Sequence, residues 1–256
     1  MATHTQSHGK VGLLGDIHGD LDWLEAACGT LAGAGVFYII QVGDFQHFDH
    51  PNPDQYYRAA DQILGRQGLR CVFIGGNHEY FPYLRSQRLG ASGYIIGKNL
   101  TFVDRGWRWT IGDIRFVALG GAATYRTAPR TEGVNWWPED EIVRAEEVAA
   151  IVQAGPADVL VCHDAPGAVR FDGEQPFPRG EETRQNLNVA AAGLGVQLVL
   201  HGHLHRRMTN QIELAGQTIR VEGLGKAGQP VGAVAVLNLG DLTVTDLSGE
   251  EERAAA

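Results

Sequence analysis

Residues 10–44 read KVGLLGDIHGDLDWLEAACGTLAGAGVFYIIQVGD. Two apolar runs in it, Val11–Leu14 and Val36–Val42, each stop at a Gly-Asp pair, Gly15-Asp16 and Gly43-Asp44. Between them, Leu21–Leu31 carries apolar residues at helical spacing, and Asp20 is placed to cap its first turn. A strand–helix–strand unit of this kind predicts neighbouring parallel strands buried on both faces. Its crossover is expected to be right-handed. The pattern continues with a second helix over Asp54–Leu64 and a third apolar run over Leu69–Ile74.

Further on, the pattern changes. Leu100–Val103, Arg108–Ile111 and Ile114–Leu119 read as antiparallel strands, with Gly112-Asp113 as a turn. One long helix is expected from Pro138 to Ala154. Pro138 suits the first helical position, Glu139 to Glu141 place negative charge at the positive end of the dipole, and Gly155 suits the stop. Val159–Cys162 and Val196–Leu200 read as buried strands separated by a helix near Glu181–Ala192. Hairpins follow, Asn210–Leu214 with Thr218–Val221 and Ala233–Leu239 with Leu242–Leu247. Two packed sheets with helices outside, an α/β protein, account for this order. No linker or repeat interrupts it, so residues 10–247 read as one domain, with residues 1–9 and 248–256 as flexible tails.

The chain has 256 residues, 44% of them apolar, and a net charge of −9 from 21 basic and 30 acidic side chains. An acidic balance argues against a surface that tracks an extended nucleic acid. The three cysteines, Cys28, Cys71 and Cys162, fit no zinc spacing, and Cys71 and Cys162 sit inside apolar runs as core residues. No disulfide framework is implied, which points to the cytoplasm. The segment Met1 to Lys10 is polar and no apolar run nears the roughly 20 residues of a membrane span, so no membrane association is expected.

Five short blocks carry the chemistry, each just after an apolar run: Gly15-Asp16-Ile17-His18-Gly19, Gly43-Asp44, Gly76-Asn77-His78-Glu79, His163-Asp164-Ala165-Pro166 and Gly202-His203-Leu204-His205. In open α/β sheets, functional groups gather beyond the carboxyl ends of strands. Asp16 and His18 are two residues apart, as are His203 and His205, so extended backbone would point each pair the same way. Asn77 and His78 are adjacent and should diverge, one to ligate and one to face a substrate. Two carboxylates, an amide oxygen and several imidazoles suit two divalent cations held side by side.

Taken in order, GDIHG, GD, GNHE, H-x-x-P and GHLH resemble the calcineurin-like metallophosphoesterase superfamily from Asp16 to His205, and the chain looks closer to its compact bacterial or phage members than to its protein Ser/Thr phosphatase branch. The resemblance implies a four-layer αββα sandwich of two mixed β-sheets flanked by helices. It implies that Asp16, His18 and His205 hold one metal, with Asp44 shared to a second metal completed by Asn77, His163 and His203. His78 would contact the phosphate, as general acid or transition-state stabiliser. Hydrolysis would proceed by in-line attack of a hydroxide held between the metals. The donor set suits manganese, iron, zinc, cobalt or nickel, with manganese or an iron/zinc pair favoured by the family's general behaviour. Two dications and two aspartates leave a charge of +2 to face a small anionic phosphate ester.

Phosphodiester substrates are favoured, since a general acid helps most with a poor alkoxide leaving group. The alternatives are a phosphomonoesterase, a non-catalytic scaffold that keeps the fold, and a DNA repair nuclease. Every ligand position is filled, which disfavours the scaffold, and the chain is short and acidic, which disfavours the nuclease. The protein Ser/Thr phosphatase branch places an arginine soon after its second aspartate and another before its Asn-His. Here Phe45-Gln46-His47 follows Asp44 and Gly75-Gly76 precedes Asn77.

The stretch Gly120 to Trp137, GGAATYRTAPRTEGVNWW, is a long loop whose opening and close also resemble a subset of the small phosphoesterases. Tyr125, Arg126 and Arg130 are its candidate substrate contacts, while Trp136 and Trp137 are expected to staple the following helix to the core. Glu79 is expected to cap a helix after His78, His201 to be a hydrogen-bonded strand-end histidine, and Asp164 either to orient His163 or to lie in a surface turn.

Overall fold

The structure is a computed structural model that describes residues 3–4, 9–47, 52–125, 129–171 and 178–248. Most of the tail expectation, and the substrate candidate Arg126, lie outside the described residues.

Among the described residues the strands form two mixed sheets. The eight-stranded sheet runs Val244–Asp246, Val234–Asn238, Lys10–Leu14, Tyr38–Gln41, Arg70–Phe73, Leu100–Phe102, Gly93–Ile95 and Leu89–Gly90. Lys10–Leu14, Tyr38–Gln41 and Arg70–Phe73 are parallel neighbours at its centre. The seven-stranded sheet runs Thr3–His4, Arg108–Ile111, Ile114–Leu119, Val159–Cys162, Leu198–His201, Gln217–Gly223 and Met208–Leu214. Ile114–Leu119, Val159–Cys162 and Leu198–His201 are parallel there.

Alternation along each strand explains why the sheets stack. Val159 and Val161 join the core between the sheets, whereas Leu160 and Cys162 join the core beneath the outer helices. Tyr38 and Ile40 likewise face the other sheet, and Ile39 faces the helices on its own side. Three apolar cores therefore separate four layers: helices Leu21–Gly33 and Pro53–Arg66, the eight-stranded sheet, the seven-stranded sheet, and helices Ala145–Gln153 and Glu181–Leu194. This is the αββα sandwich.

Local chemistry sets the element ends. The Asp20 side chain accepts from Trp23 N at 2.9 Å, and the buried residues Leu24, Ala27, Cys28 and Leu31 make one helical face. Asn52 accepts from Gln55 N at 3.1 Å ahead of Pro53. Gly195, at φ 67°, closes Glu181–Leu194 in the left-handed conformation. The two hairpins add one pair of strands to each sheet, so the chain after residue 207 completes the sandwich. Cys28, Cys71 and Cys162 are buried and free.

Two elements differ from expectation. The single helix Pro138–Ala154 is broken into Pro138–Glu141 and Ala145–Gln153. Tertiary partners take over the backbone groups at the break. Arg105 donates to Ile142 O at 2.8 Å and to Asp140 O, Thr183 Oγ1 accepts from Val143 N at 3.1 Å, and Asn186 Nδ2 donates to Val143 O at 2.8 Å. Glu147 accepts from Arg144 N at 2.8 Å and starts the second piece. The break turns Glu141 inward, where it is buried.

Leu100–Phe102 is the other difference. It does not join Arg108–Leu119 but pairs in parallel with Arg70–Phe73 in the opposite sheet. Phe102 packs on Phe73, with centroids 5.3 Å apart, and the chain crosses to the other sheet only after that.

Candidate metal centre

Five parallel strands, three from one sheet and two from the other, end at the same rim of the sandwich. Asp16 and His18 follow Lys10–Leu14, Asp44 follows Tyr38–Gln41, Asn77 and His78 follow Arg70–Phe73, His163 follows Val159–Cys162, and His203 and His205 follow Leu198–His201. Donor atoms of Asp16, His18, Asp44 and His205 lie within 4.8 Å of one another, and so do those of Asp44, His163 and His203. Each group could hold a metal ion, and Asp44 belongs to both.

The backbone reaches this arrangement through turns, not through the extended alternation expected of Asp16/His18 and His203/His205. His18, Asp44, His203 and His205 have φ of 50°, 56°, 64° and 51°. Four left-handed non-glycine residues at one site represent strain held by their surroundings. Hydrogen bonds supply that hold. His203 N donates to both oxygens of Asp16 at 3.1 Å, and Asn77 N and His78 N donate to Asp44 Oδ1 at 2.8 and 2.9 Å.

Glycine is required where backbone passes against the carboxylates. A Cβ on Gly76 would stand 2.2 Å from Asp44 Oδ1, and one on Gly202 would stand 2.2 Å from Asp16 Oδ1.

On one side, His18 Nε2 and His205 Nε2 face each other at 2.8 Å, and His205 Nε2 is 3.1 Å from Asp16 Oδ2. On the other, His163 Nε2 is 3.3 Å from Asp44 Oδ1, while its Nδ1 lies 2.7 Å from Val42 O. That carbonyl can only accept, so the proton sits on Nδ1 and orients the ring with Nε2 toward Asp44. Two donor atoms here, His163 Nε2 and Asn77 Oδ1, are buried without a hydrogen-bond partner. Orphaned ligand atoms of a carboxylate–imidazole–amide set fit a bound divalent cation.

Electrostatics point the same way. Burial lowers His18, takes His78 down to about 3 and holds His203 well below the usual imidazole value, so these rings are neutral. Burial alone would raise Asp44, but His163 and His78 outweigh it and hold the carboxylate well below its usual range. Burial alone would lower His163, but Asp44 outweighs it and raises the ring to about 10. A cation at Asp44 therefore competes with the His163 proton.

Residues outside the candidate ligand set complete the support. Glu79 does not cap a helix. Its buried carboxylate accepts from Phe45 N and Gly76 N, both at 2.6 Å, and ties the Asp44 loop to the Asn77 loop. Burial, then the nearby Asp44, push it up to about 8. Asp164 is fully buried rather than in a surface turn, and it accepts from Ala165 N at 2.8 Å, near Arg184 at 3.8 Å. His201 is a buried strand-end residue, with Nδ1 3.0 Å from Gly202 O. His47, three residues after Asp44 in the same loop, lies tilted against His78 with centroids 5.0 Å apart. That short spacing was the sequence signal for it.

A cavity of about 440 Å³ opens beside Asp44, lined by Asn77, His78, His47, Thr124, Tyr125 and Arg130 among others. Arg130 is nearly buried and donates to Asn77 O at 2.5 Å, and its Nη2 lies 2.8 Å from His78 Nε2. Tyr125 stands exposed at the rim. Trp137 packs on Tyr80 and on the core, as expected of a staple, whereas Trp136 lies under the guanidinium of Arg179.

The fold and this rim define a class: an αββα sandwich with a cluster of candidate histidine and carboxylate metal ligands at converging strand ends. The family model described as calcineurin-like phosphoesterase matches residues 9–207, and the chain belongs to that family. Its members are metal-dependent hydrolases of phosphate esters. A protein of Thermus thermophilus has the same fold, with TM-score 0.63 and 14% identity over 93% of this chain and 98% of that one. So does a protein of Danio rerio described as a dimetal phosphatase, with TM-score 0.59 and 14% identity over 90% and 92%. Among curated proteins, none matches the chain by sequence.

Proposed function

We propose that this chain, acting as one unit over residues 10–247, is a two-metal phosphoesterase with phosphodiesters as favoured substrates. The observation that carries the reading is Asp44, which is common to two donor groups at one rim. Asp16, His18, Asp44 and His205 would hold one cation. Asp44, Asn77, His163 and His203 would hold the other. Such a pair supplies a water nucleophile of lowered pKa and positive charge for the phosphoryl oxygens. Manganese or an iron/zinc pair suits the mixed oxygen and nitrogen donors.

The chain's own residues place the ester. A guanidinium only donates, so His78 Nε2 accepts from Arg130 and the ring proton sits on Nδ1. His78 and Arg130 thereby form one wall against which a phosphoryl oxygen can lie, with Arg130 as donor. Tyr125 at the rim would cover the leaving group. The cavity is of a size that accepts groups on both sides of the phosphorus. A phosphomonoester is the second reading, because its extra negative charge would find the Arg130 guanidinium. Every position of the proposed ligand set carries a donor side chain, which supports an enzyme over a scaffold. Among the described residues no helix is long and apolar enough to cross a membrane. The free buried cysteines suit a reducing cytoplasm.

A panel of matched aryl phosphodiesters and monoesters, assayed on protein reloaded with Mn, Fe, Zn, Co or Ni, tests this. The diester is expected to lead in kcat/KM by at least about tenfold, or ~1.4 kcal/mol in the barrier. A monoester lead would reverse the preference. Metal uptake without hydrolysis of either would favour the scaffold.

A further inference from the structure

A carboxamide can turn either end toward a cation, and only its oxygen ligates one. Asn77 therefore needs something to decide which end faces the metal centre. The deciding group comes from the long loop and the broken helix, remote in sequence from the metal motifs. Thr124 Oγ1 has one proton and two acceptor positions. Its proton goes to Glu141 Oε1, and Glu141 Oε2 accepts from Thr124 N at 2.9 Å. Its acceptor positions take Asn77 Nδ2 at 3.3 Å and Arg130 Nη1 at 3.0 Å. The hydroxyl is thus saturated. A flipped Asn77 would set its oxygen against an oxygen with no proton to offer. The amide nitrogen is held toward Thr124, and Oδ1 is left buried and without a hydrogen-bond partner. Thr124 and Glu141 are each 2% exposed, and Thr124 stands at the wall of the cavity beside Asn77.

We infer that Thr124 and Glu141 are positioning residues that aim the Asn77 carboxamide oxygen at the cation shared with Asp44. The inference deepens the two-metal reading and rests on it. Glu141 is the last residue of the first helical piece, so the break lies directly beside the residue that holds Thr124.

The test is calorimetric titration of chelator-stripped protein with Mn²⁺ alone. Wild type is expected to take two cations. Thr124→Val keeps the volume and removes the hydroxyl, and should weaken one of the two by roughly 10–100-fold while the other is unchanged. Thr124→Ser should restore it, and Glu141→Gln, which keeps one of the two bonds, should weaken the same cation by a smaller factor. Two wild-type affinities in Thr124→Val overturn the inference. So does equal weakening of both cations, or a failure of serine to rescue, since either marks a merely structural role. If Thr124→Val does not fold, Glu141→Gln decides by the same one-site criterion. A wild type that takes fewer than two cations overturns the two-metal reading itself, which separates that failure from this one.

Discussion

The two candidate donor groups share Asp44 but are held by different means. On the Asp16 side, the His18 and His205 side chains are 18% and 34% exposed, and their positions come from left-handed turns and from His203 N bonded to Asp16. On the Asn77 side, His163 is fully buried and Asn77 is 7% exposed. Val42 O fixes the imidazole, Thr124 fixes the amide, and Glu79 ties the loops together. One half is a set of backbone turns around partly exposed imidazoles. The other is a packed polar network, with His163 fully buried and Asn77 and His203 at the wall of the cavity. Enclosure of this kind should slow cation exchange and tighten binding, because the donors are ordered before the cation arrives.

The largest test strikes the residue common to both halves. Asp44→Asn is expected to lower kcat/KM by at least about 10³-fold and to weaken both cations, read by kinetics and by metal content. Weakening on one side only would mean that the halves are independent. Glu79→Ala comes next. It strands two buried N–H groups, so unfolding in urea with excess chelator should show a loss of about 2–4 kcal/mol, with Glu79→Gln near half of that. A loss under about 0.5 kcal/mol would show that the loops are held together by other contacts.

Timed removal of metal by a chelator sharpens the contrast itself. Two phases are expected, separated by at least about tenfold in rate, with His205→Ala abolishing the fast one. A single phase would erase the difference between the halves. The smallest effect is at the rim. Tyr125→Ala should raise KM roughly 2–5-fold and leave kcat within about twofold, because the side chain borders the cavity without touching the donors.

Much of this was legible in the chain. Gly-Asp pairs after apolar runs marked the strand ends, and helical spacing after Asp20 and around Pro53 marked the two helices on the first sheet. Both are signals within a few residues of one another. The reading failed where a contact across the fold overrode local preference. Pro138 to Ala154 has the composition of one helix, yet Arg105, Thr183 and Asn186 satisfy the backbone at its break. Leu100–Phe102 reads as part of the neighbouring hairpin, yet the free edge at Arg70–Phe73 and the face of Phe73 take it into the other sheet. The two-residue spacing of the ligand pairs suggested extended backbone, but positive φ at His18, His203 and His205 aims them instead.

Local patterning was enough to specify the layered α/β architecture and to single out the candidate donor residues in their order, because alternation, helical spacing and short Gly-flanked blocks are written within a few residues. It took the folded chain to establish that Asp44 is common to two donor groups, that Glu79 joins their loops, and that Thr124 meets Asn77 from 47 residues away. Those pairings depend on how two sheets stack and where a helix breaks. Such choices are made by packing and by the satisfaction of buried polar groups, neither of which leaves a periodic trace in the chain.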